Sequence, residues 1–423
     1  MSKVIDILQE RGLIEALTSE EIRILTEKPT KVYCGFDPTS DSLHLGNMVA
    51  IMGLAWFQRC GHTPVPLIGG ATGMIGDPSG KAKERQFLDE KTLEINVVGI
   101  QKNLEAILDF DSLNAKPLLL NNFDWLKNFS MIRFLRDVGK FFRLGPMLGK
   151  ESVRQRMESE EGLSYTEFSY QLLQAYDFLY LLENHGVFIQ IGGSDQWGNI
   201  TAGIDLIRKV NGAQSYGVTF PLLTTSDGKK FGKSEEGAIW LSPDKLSPFK
   251  FYQHLIRVAD SDVIRLMRML TFMDMDVISE IEHQMLQPGY IPNTAQKRLA
   301  EEVTLIVHGA EALEGAKRAT AAAKPGSEAS LDVVTLESIA TEIPSLSFNM
   351  TEVLGVKLLD FVVKTNLLPS KGQARKLMMN GGMYLNNKQI SDENRILIRS
   401  DLIEGRLFLL AVGKKNKILI RIF

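Results

Sequence analysis

Three short segments of the chain combine glycine with polar or basic side chains in the way that a phosphate-binding site requires. The first is His44-Leu45-Gly46-Asn47, where the missing side chain at Gly46 would let a ring or a ribose approach the backbone. The second is residues 69–77, and the third is Lys229-Lys230-Phe231-Gly232-Lys233-Ser234. Free N–H groups and the dipole at a helix N-terminus both favour an anion, and lysines add positive charge. Together the segments predict chemistry on a phosphate-bearing substrate.

Each of these segments is a weak signal when it is taken alone. A single histidine such as His44 is more often an ordinary surface or core residue. The glycines of residues 69–77 do not follow the Gly-x-Gly-x-x-Gly spacing of dinucleotide-binding turns. A lysine run such as residues 229–234 is more often a solvated face. Only the combination carries a functional argument.

The residues around His44 have the pattern of a strand, a turn and a helix. A β-prone segment is followed by turn-forming Asp, Pro and Ser, and then by an apolar, helix-length segment that runs from about residue 43 to residue 60, ahead of Gly61. Similar units recur along the chain, and helical patterns separate them. This alternation predicts an α/β domain with a mostly parallel sheet. Its strands are predicted at residues 32–36, 65–68, 187–191 and 218–220.

Helical patterns and a terminal hairpin account for most of the remaining chain. Residues 91–164 are predicted to be largely helical, and their apolar stretches could form a dimer interface or pack inside the protein. Small residues around Lys324-Pro325-Gly326-Ser327 are typical of a linker. Beyond this linker we expect helices at residues 353–365 and 370–380 and a hairpin formed by residues 406–412 and 417–423.

Length and composition exclude several classes of protein. The chain has 423 residues, of which 44% are hydrophobic and 23% charged, which fits a globular protein of more than one domain. No stretch reaches the ~18 apolar residues of a membrane span, and residues 1–14 lack the apolar core of a signal peptide. Cys34 and Cys60 are the only cysteines and are not spaced as Cys-x-x-Cys. We therefore expect a cytoplasmic protein with no disulfide framework, no cysteine metal site and no membrane partner.

The charge is distributed unevenly along the chain. Residues 351–423 carry thirteen Lys and Arg against six Asp and Glu, a net charge of +7, which leaves −10 for residues 1–350. A small basic module behind an acidic body predicts binding of a polyanion, with nucleic acid as the leading class. A solvated basic surface explains the charge equally well.

The first and third segments together resemble the two signature motifs of class I aminoacyl-tRNA synthetases, usually written His-Ile-Gly-His and Lys-Met-Ser-Lys-Ser. They stand here as His44-Leu45-Gly46-Asn47 and Lys230-Phe231-Gly232-Lys233-Ser234. Three further segments resemble the bacterial tyrosyl-tRNA synthetases. They are Tyr33-Cys34-Gly35-Phe36-Asp37-Pro38-Thr39, Tyr170-Gln171-Leu172-Leu173-Gln174-Ala175-Tyr176-Asp177-Phe178 and Gly192-Gly193-Ser194-Asp195-Gln196-Trp197-Gly198-Asn199. The resemblance covers nearly the whole chain.

The resemblance implies a fold of several parts. We expect a Rossmann-like catalytic domain over residues 1–235, whose helical insertion at about 91–164 would hold the dimer interface. An α-helical domain would follow at 236–320 and a linker at 321–350. Residues 351–423 are similar to a ribosomal-protein-type RNA-binding domain, which is a small α+β fold.

The resemblance also implies an activity, tyrosine–tRNA ligation. ATP would activate L-tyrosine as tyrosyl-adenylate, with release of pyrophosphate, and tyrosine would then pass to the 3′ end of tRNA(Tyr) without a covalent enzyme intermediate. ATP is a substrate, Mg²⁺ is expected to accompany it, and no metal-binding residues are predicted. The partners implied are tRNA(Tyr), tyrosine, ATP and a second copy of the chain in a homodimer.

Residue by residue, the resemblance implies four groups of site residues. The catalytic contacts to phosphate would be His44, Thr39, Lys230, Lys233, Lys81 and Arg85. Tyrosine would be bound by Tyr33 and Asp177 at the phenol, by Asp77, Tyr170 and Gln174 at the α-ammonium, and by Gln196 near the adenylate linkage. ATP would contact Asp37, His44, Gly46, Asn47, Gly193, Asp195, Lys230 and Lys233. RNA would contact Arg208, Lys209, Lys371, Arg375, Lys414, Lys415 and Lys417, although Arg208 and Lys209 fit a plain solvated face equally well.

The sequence departs from the family pattern at two places. Asn47 replaces the second histidine of the first signature, and its amide can donate a hydrogen bond much as a neutral imidazole does. Phe231-Gly232 replaces Met-Ser in the second signature, at positions that do not supply the charge. We expect both motifs to keep their function.

Two rival interpretations remain at this point. Tryptophanyl-tRNA synthetase shares the class I frame, but Tyr33 with Asp177 suits a phenol better than an indole, whose ring nitrogen donates and does not accept. A catalytically silent RNA-binding relative would be expected to lose the phosphate contacts, and His44, Lys230 and Lys233 are all present. Amino-acid-dependent pyrophosphate exchange separates the alternatives.

Overall fold

The computed structural model describes residues 3–79, 88–160, 162–228, 231–234, 237–329, 331–413 and 416–423. The strands predicted at residues 32–36, 65–68, 187–191 and 218–220 are all present within these ranges, together with shorter strands that were not predicted. The strands are β1 (Ala16–Leu17), β2 (Lys31–Phe36), β3 (Thr63–Ile68), β4 (Leu120–Asn121), β5 (Val187–Gly193), β6 (Tyr216–Phe220), β7 (Lys233–Ser234), β8 (Gly237–Ala238), β9 (Ser345–Phe348), β10 (Met383–Leu385), β11 (Lys388–Gln389), β12 (Leu407–Val412) and β13 (Asn416–Ile422).

The helices of the described residues vary from one turn to several turns in length. They are α1 (Val4–Glu10), α2 (Ile22–Leu25), α3 (Leu45–Arg59), α4 (Glu90–Ile107), α5 (Phe123–Leu126), α6 (Met131–Asp137), α7 (Leu144–Leu148), α8 (Glu151–Met157), α9 (Tyr165–His185), α10 (Trp197–Asn211), α11 (Pro248–Ile256), α12 (Asp260–Leu270), α13 (Met275–Met285), α14 (Thr294–Ala322), α15 (Val333–Ala340), α16 (Met350–Val353), α17 (Leu358–Lys364) and α18 (Lys371–Met379).

The larger sheet confirms the predicted α/β class. Its strand order is β1-β6-β5-β2-β3-β4. Only β1 is antiparallel, at its pairing with β6, and the other neighbouring strands are parallel. The chain leaves β2 towards β3 on one side and returns to β5 on the other, so a topological switch point lies between β2 and β5. Ligands of open α/β sheets bind beside the carboxyl ends of the strands at such a point.

Helix α3 follows β2 and covers one face of this sheet. It is apolar on nearly all sides, and residues such as Leu45, Met48, Ile51 and Phe57 are fully buried. It packs on β2, β3 and β5, and its other sides contact α1, α4 and α12. A helix that is apolar all round must be enclosed in this way. The predicted segment at about 43–60 is therefore confirmed, and Gly61 takes the left-handed conformation, with φ +88°, just after it.

The region 91–164 is largely helical as predicted, but it is not only an insertion. Its residues Leu120 and Asn121 form β4, which pairs with Leu67 and Ile68 of β3 and extends the sheet. A strand of two residues is too short to leave an alternating pattern in the sequence, so it was not predicted. This short strand has a functional consequence, because it fixes the residue that follows it, Asn122.

Contacts divide the chain into two compact units, Met1–Lys245 with Val258–Val307, and Leu246–Arg257 with His308–Phe423. The expected helical domain at 236–320 is thus shared between the units instead of forming one by itself. The physical reason is local packing. Helix α12 buries its apolar face in the first unit, where it packs on α3, whereas Phe249 of α11 packs with Ala319 and Ile339 in the second unit.

The second unit contains a five-stranded sheet in the order β11-β10-β12-β13-β9. Strands β12 and β13 pair antiparallel from Leu407 with Arg421 to Val412 with Asn416, which confirms the predicted terminal hairpin. The expected linker at 321–350 is folded instead. It contains α15, whose Leu336 packs on β12 and β13, and β9, which pairs parallel to β13. Small residues suggested mobility, whereas the partner strand lies about 70 residues away and could not be seen locally.

Within the described ranges, no helix is both long enough and apolar enough to cross a membrane.

Candidate active site

A cavity of about 690 Å³ opens in the first unit, among the residues that follow the carboxyl ends of the parallel strands. Several of the predicted site residues line it, and they come from segments that are distant in the sequence. These residues are Tyr33, Asp37, Thr39, His44, Gly46, Asn47, Asp77, Tyr170, Gln174, Asp177, Gly193, Asp195 and Gln196.

The two signature segments meet at the start of α3. His44 precedes the helix, and its N–H donates to Oδ1 of Asn47 at 3.1 Å. The N–H of Leu45 donates to the carbonyl of Ile239 at 2.8 Å, and the N–H of Ile239 donates to the carbonyl of Gly232 at 2.8 Å. These bonds join the histidine segment to the lysine segment, although about 190 residues separate them in the sequence.

Gly232 shows why a glycine stands in the lysine segment. Its φ of +100° is unfavourable for any residue with a side chain, and an added Cβ would lie 3.0 Å from the backbone nitrogen of Gly46. The close approach of the two segments therefore depends on this position. Strand β7 begins at Lys233, whose side chain is not described, and Lys230, Lys81 and Arg85 lie outside the described residues.

Asp37 follows β2 and is held by two hydroxyl donors. The hydroxyl of Thr72 donates to its Oδ1 at 2.8 Å, and the phenol of Tyr170 donates to its Oδ2 at 2.8 Å. Gly69 makes room for this arrangement, because an added Cβ would lie 2.1 Å from Asp37 Oδ1. Gly69 thus serves a close contact and not a dinucleotide turn.

Asp77 belongs to a second polar cluster of the cavity. Its Oδ2 accepts a hydrogen bond of 2.7 Å from the amide of Gln196, and Gln196 in turn accepts one of 3.2 Å from Gln174. Asn199 donates to Gln196 at 3.2 Å. The Oε1 atom of Gln174 is buried and has no hydrogen-bond partner among the described residues. A buried acceptor in this state is suited to a ligand that brings a donor, such as an ammonium group.

Asp177 and Tyr33 are both almost fully buried in the cavity, with 2% and 1% of their surfaces exposed. Asp177 Oδ2 accepts from Asn122 at 2.9 Å and its Oδ1 accepts from the indole of Trp125 at 2.8 Å. Burial raises the pKa of Asp177 to about 7; these two donors oppose the shift, and the charge of Asp37 adds to it. The pKa of Tyr33 is raised well above its usual value by burial and by the charge of Asp177.

The hydroxyl of Tyr33 has no hydrogen-bond partner among the described residues, although it is buried. A buried donor without a partner costs free energy of about 1–3 kcal/mol. A ligand hydroxyl placed between Tyr33 and Asp177 could accept from the phenol and donate to the carboxylate. The pair is therefore chemically complementary to a phenol.

The sequence did not indicate several residues of the site. They are Thr72 beside Asp37, Asn122 and Trp125 beside Asp177, Asn199 beside Gln196, and Gln190, whose buried Oε1 lacks a partner among the described residues. Thr72 and Asn199 lie within segments that the sequence singled out, but no role was assigned to them, and Asn122, Trp125 and Gln190 lie in none of those segments. Gln190 lies inside β5, and Asn122 and Trp125 follow β4, a strand too short to be predicted, so the sequence offered no specific signal for these three.

Comparison with known proteins decides the family. The family model of class I tRNA synthetases (W and Y) matches residues 25–323, and that of the tyrosine–tRNA ligase SYY-like C-terminal domain matches residues 335–420. A tyrosine–tRNA ligase of Protochlamydia amoebophila is 63% identical over 422 residues, which is 100% of this chain and 99% of that protein. The chain belongs to the tyrosine–tRNA ligase family.

A plastid and mitochondrial member of the tyrosine–tRNA ligases, from Arabidopsis thaliana, is 55% identical over 99% of this chain and 83% of its own length. A solved structure is also similar: a C-terminally truncated mitochondrial tyrosyl-tRNA synthetase of Aspergillus nidulans. It has a TM-score of 0.67 and 32% identity over 75% of this chain and 92% of that chain. The resemblance drawn from the motifs is confirmed. These identities do not indicate the tryptophanyl-tRNA synthetases, which were the alternative enzyme family.

The basic residues that the tyrosine–tRNA ligase resemblance assigned to RNA are mostly paired in the structure. Arg208 and Lys209 both contact Asp205, at 2.7 and 2.5 Å, and Lys414 and Lys415 lie outside the described residues. On α18, Lys371 pairs with Asp360 at 2.8 Å and Arg375 pairs with Glu393 at 2.7 Å, and both remain exposed. Lys417 is placed differently from the expectation. Its ammonium donates to the carbonyl of Ala323, and burial lowers its pKa, so it serves the fold of the second unit.

Proposed function

We propose that the chain joins L-tyrosine to tRNA(Tyr) in two steps at the cavity of the first unit. ATP and tyrosine give tyrosyl-adenylate and pyrophosphate, and the tyrosyl group then passes to the 3′ end of the tRNA. The observation that carries the proposal is a single cavity lined both by His44 beside Gly232 and by the buried pair Tyr33 and Asp177. His44 and Gly232 belong to the part of the site that would contact the phosphates. Tyr33 and Asp177 form the part that fits a phenol.

Tyrosine would be recognised by buried polar groups of the cavity that can still form hydrogen bonds. Its phenol would accept from Tyr33 and donate to Asp177, and its α-ammonium would meet Asp77 and the buried acceptor of Gln174. Tyr170 would act at the same end, since its phenol already contacts Asp37 at 2.8 Å. Each of these contacts offsets part of the desolvation cost of burying the polar group.

Activation needs no enzyme nucleophile, because the tyrosine carboxylate itself attacks the α-phosphorus. Catalysis then consists of positioning and of stabilising the charge that develops on the phosphates. We assign this task to His44 and Thr39 and to four cations whose side chains are not described, Lys81, Arg85, Lys230 and Lys233. Gly193 and Asp195 would hold the ribose, and Asp37, Gly46, Asn47 and Gln196 would flank the adenylate.

Mg²⁺ would come with ATP and not from a protein cage. Among the described residues no three His, Cys, Asp or Glu side chains cluster in a way that could hold a metal ion. The carboxylates of Asp37 and Asp77 already accept hydrogen bonds from protein donors. We therefore propose that Mg²⁺ is bound mainly through the phosphates of ATP.

For the second step we propose that residues 351–423 bind the tRNA. Lys371 and Arg375 lie four residues apart on α18, so they project from one face of this helix and remain exposed. A phosphate could replace Asp360 and Glu393 as their partner. Arg208 and Lys209 on α10, with Lys414 and Lys415, would add contacts of the same kind.

We further propose a homodimer that resides in the cytoplasm. Helices α6 and α7 expose Met131, Ile132 and Leu144 to between 66 and 75%, and such apolar surface is typical of a protein–protein interface. The two free cysteines, Cys34 and Cys60, suit a reducing compartment. Sedimentation of an Ile132→Lys variant tests the interface, and a variant that remains dimeric would refute it.

Pyrophosphate exchange tests the first step. The protein should exchange pyrophosphate into ATP with tyrosine, and far more weakly with phenylalanine or tryptophan, because Asp177 and Tyr33 stay unpaired with a ring that lacks the hydroxyl. Tryptophan as the best substrate would overturn the assignment.

Charging of tRNA tests the second step. Reversing both charges, with Lys371→Glu and Arg375→Glu, should lower charging and flatten its salt dependence by about 0.7–0.9 in log–log slope for each phosphate that is no longer neutralised. Pyrophosphate exchange should stay unchanged. Lys102→Glu, an exposed charge reversal on α4, serves as the control. Equal charging by the wild type, the double variant and the control would show that the basic module is a solvated surface.

A further inference from the structure

The segment that leads into the lysine signature is held by the N-terminal half of α12. The hydroxyl of Ser226 lies 2.9 Å from that of Ser261 and donates to Asp262 Oδ2 at 3.4 Å. The guanidinium of Arg265 donates to the backbone carbonyl of Thr224. These contacts involve two residues of the segment and three of the helix, all within the first unit.

Asp262 is the centre of this group of contacts. The residue is only 3% exposed, and its Oδ1 faces Arg265 at 3.5 Å. A carboxylate is rarely buried unless it is paired, because its desolvation costs several kcal/mol. The buried charge of Asp262 therefore needs the guanidinium of Arg265 as its partner. The same guanidinium donates to the backbone carbonyl of Thr224. Catalysis as proposed above makes no use of this buried carboxylate.

Two backbone hydrogen bonds join the described residues of this segment, which are 223–228 and 231. The N–H of Phe231 donates to the carbonyl of Leu223 at 2.7 Å, and the N–H of Gly228 donates to the carbonyl of Thr225 at 2.9 Å. Lys233 follows two residues after Phe231 and pairs through its backbone with Ala238. A displacement at Leu223 or Thr224 would thus be transmitted to the start of β7.

Helix α12 also packs on α3, the helix that begins next to His44. One rigid element therefore contacts both the base of the lysine segment and the helix of the histidine segment. Rigid packed elements transmit position well, and a misplacement of about 1 Å can cost ~10²-fold in rate.

We infer that Asp262, with Ser226 and Arg265, is a positioning group that sets the lysine signature against His44 for the adenylation step. The inference rests on the proposed function, because it assigns the lysine segment a catalytic role. None of the three residues would touch the substrate. Their effect should appear in the turnover number and not in tyrosine binding, which depends on Tyr33, Asp177 and their neighbours.

Two variants test this role in the full-length protein. Ser226→Ala removes both hydroxyl contacts from an exposed residue, and Asp262→Asn removes the charge with little change of shape. Each should lower kcat of pyrophosphate exchange by roughly ten- to hundred-fold, while the Kd of tyrosine stays near the wild-type value. Ser226→Thr keeps the hydroxyl and should restore most of the rate. Asp260→Asn is the matched control, because Asp260 lies on the same turn but contacts Gln296 at 2.5 Å.

Limited trypsin digestion gives a second readout that does not depend on activity. Trypsin cleaves after lysine, and Lys229, Lys230 and Lys233 follow Ser226 closely in the sequence. Cleavage there, followed by mass spectrometry, should be faster in Ser226→Ala and Asp262→Asn than in wild type or Asp260→Asn. Cleavage elsewhere should be unchanged.

The outcomes separate the inference from the proposed function. Wild-type kcat and wild-type cleavage in Ser226→Ala would overturn the inference, as would an equal loss of activity in Asp260→Asn. Failure of the wild-type protein to exchange pyrophosphate with tyrosine would instead overturn the proposed function, and the cleavage rates would still decide whether these contacts hold the segment.

Discussion

Replacing Asp177 with asparagine should make the protein less sensitive to alkaline pH than the wild type, even though the change removes a carboxylate that we propose to bind tyrosine. Burial raises the pKa of Asp177 from 3.8 to about 7 in the folded protein. The folded state therefore binds this proton more tightly than the unfolded state does. The contribution of Asp177 to stability is fully present below pH 3.8 and is lost as the pH rises to about 7.

The size of this effect follows from the shift. About three pH units at 1.36 kcal/mol each give a loss of about 4 kcal/mol in the free energy of unfolding, of which about 3 kcal/mol falls between pH 5 and pH 8. The Asp177→Asn variant does not lose this free energy of unfolding, because the asparagine side chain does not titrate. It does leave one of the donors Asn122 or Trp125 without an acceptor, which costs about 1–3 kcal/mol at every pH.

Urea unfolding of wild type and Asp177→Asn at pH 5 and pH 8 measures this difference. The four tryptophans, Trp56, Trp125, Trp197 and Trp240, all lie in the first unit, so their fluorescence reports the unit that contains Asp177. Relative to wild type, the variant should gain about 3 kcal/mol from pH 5 to pH 8. Other titrating groups cancel in this comparison. A difference between the two proteins that does not change with pH would refute the reasoning and give Asp177 an ordinary pKa.

Three further substitutions test the geometry of the cavity. Gly69→Ala places a Cβ 2.1 Å from Asp37 Oδ1 and should lower pyrophosphate exchange by roughly 10²-fold with native circular dichroism; a normal rate would show that Asp37 has no such role. Trp125→Phe removes a donor to a charged acceptor and should raise the KM of tyrosine by roughly tenfold or more, whereas an unchanged KM would separate Trp125 from substrate binding. Lys233→Ala should lower the adenylation rate constant much more than it weakens tyrosine binding, and a change confined to affinity would contradict a transition-state role.

The local pattern of the sequence was sufficient to predict the secondary-structure elements that carry the signature segments. Strand β2, the turn after it and helix α3 follow from β-prone residues, turn formers and an apolar run, because neighbours in the chain decide each of these preferences. The hairpin of β12 and β13 was predicted for the same reason, since its strands are joined by a short turn. The motifs also carried the resemblance to the tyrosine–tRNA ligases, which does not require coordinates.

Local pattern failed where a partner far along the chain decided the structure. Residues 345–348 became β9 because β13 offers them a parallel edge, whereas small residues earlier in the segment 321–350 suggested a linker. The helices at 248–307 were assigned to different units by the surfaces they cover. Composition describes a segment's own preference, whereas pairing and packing depend on what the rest of the fold presents.

The sequence by itself determined which chemical groups we propose for the site, namely His44, the lysines of residues 229–234, and Asp177 within its motif. Only the tertiary structure decided which partners hold the carboxylates of Asp37 and Asp177. Tyr170 reaches Asp37 across 133 positions of the chain, and Asn122 reaches Asp177 across 55. The strand order β1-β6-β5-β2-β3-β4 sets these distances, and a hydrogen bond acts only over about 3 Å, so no reading of neighbouring residues could have found them.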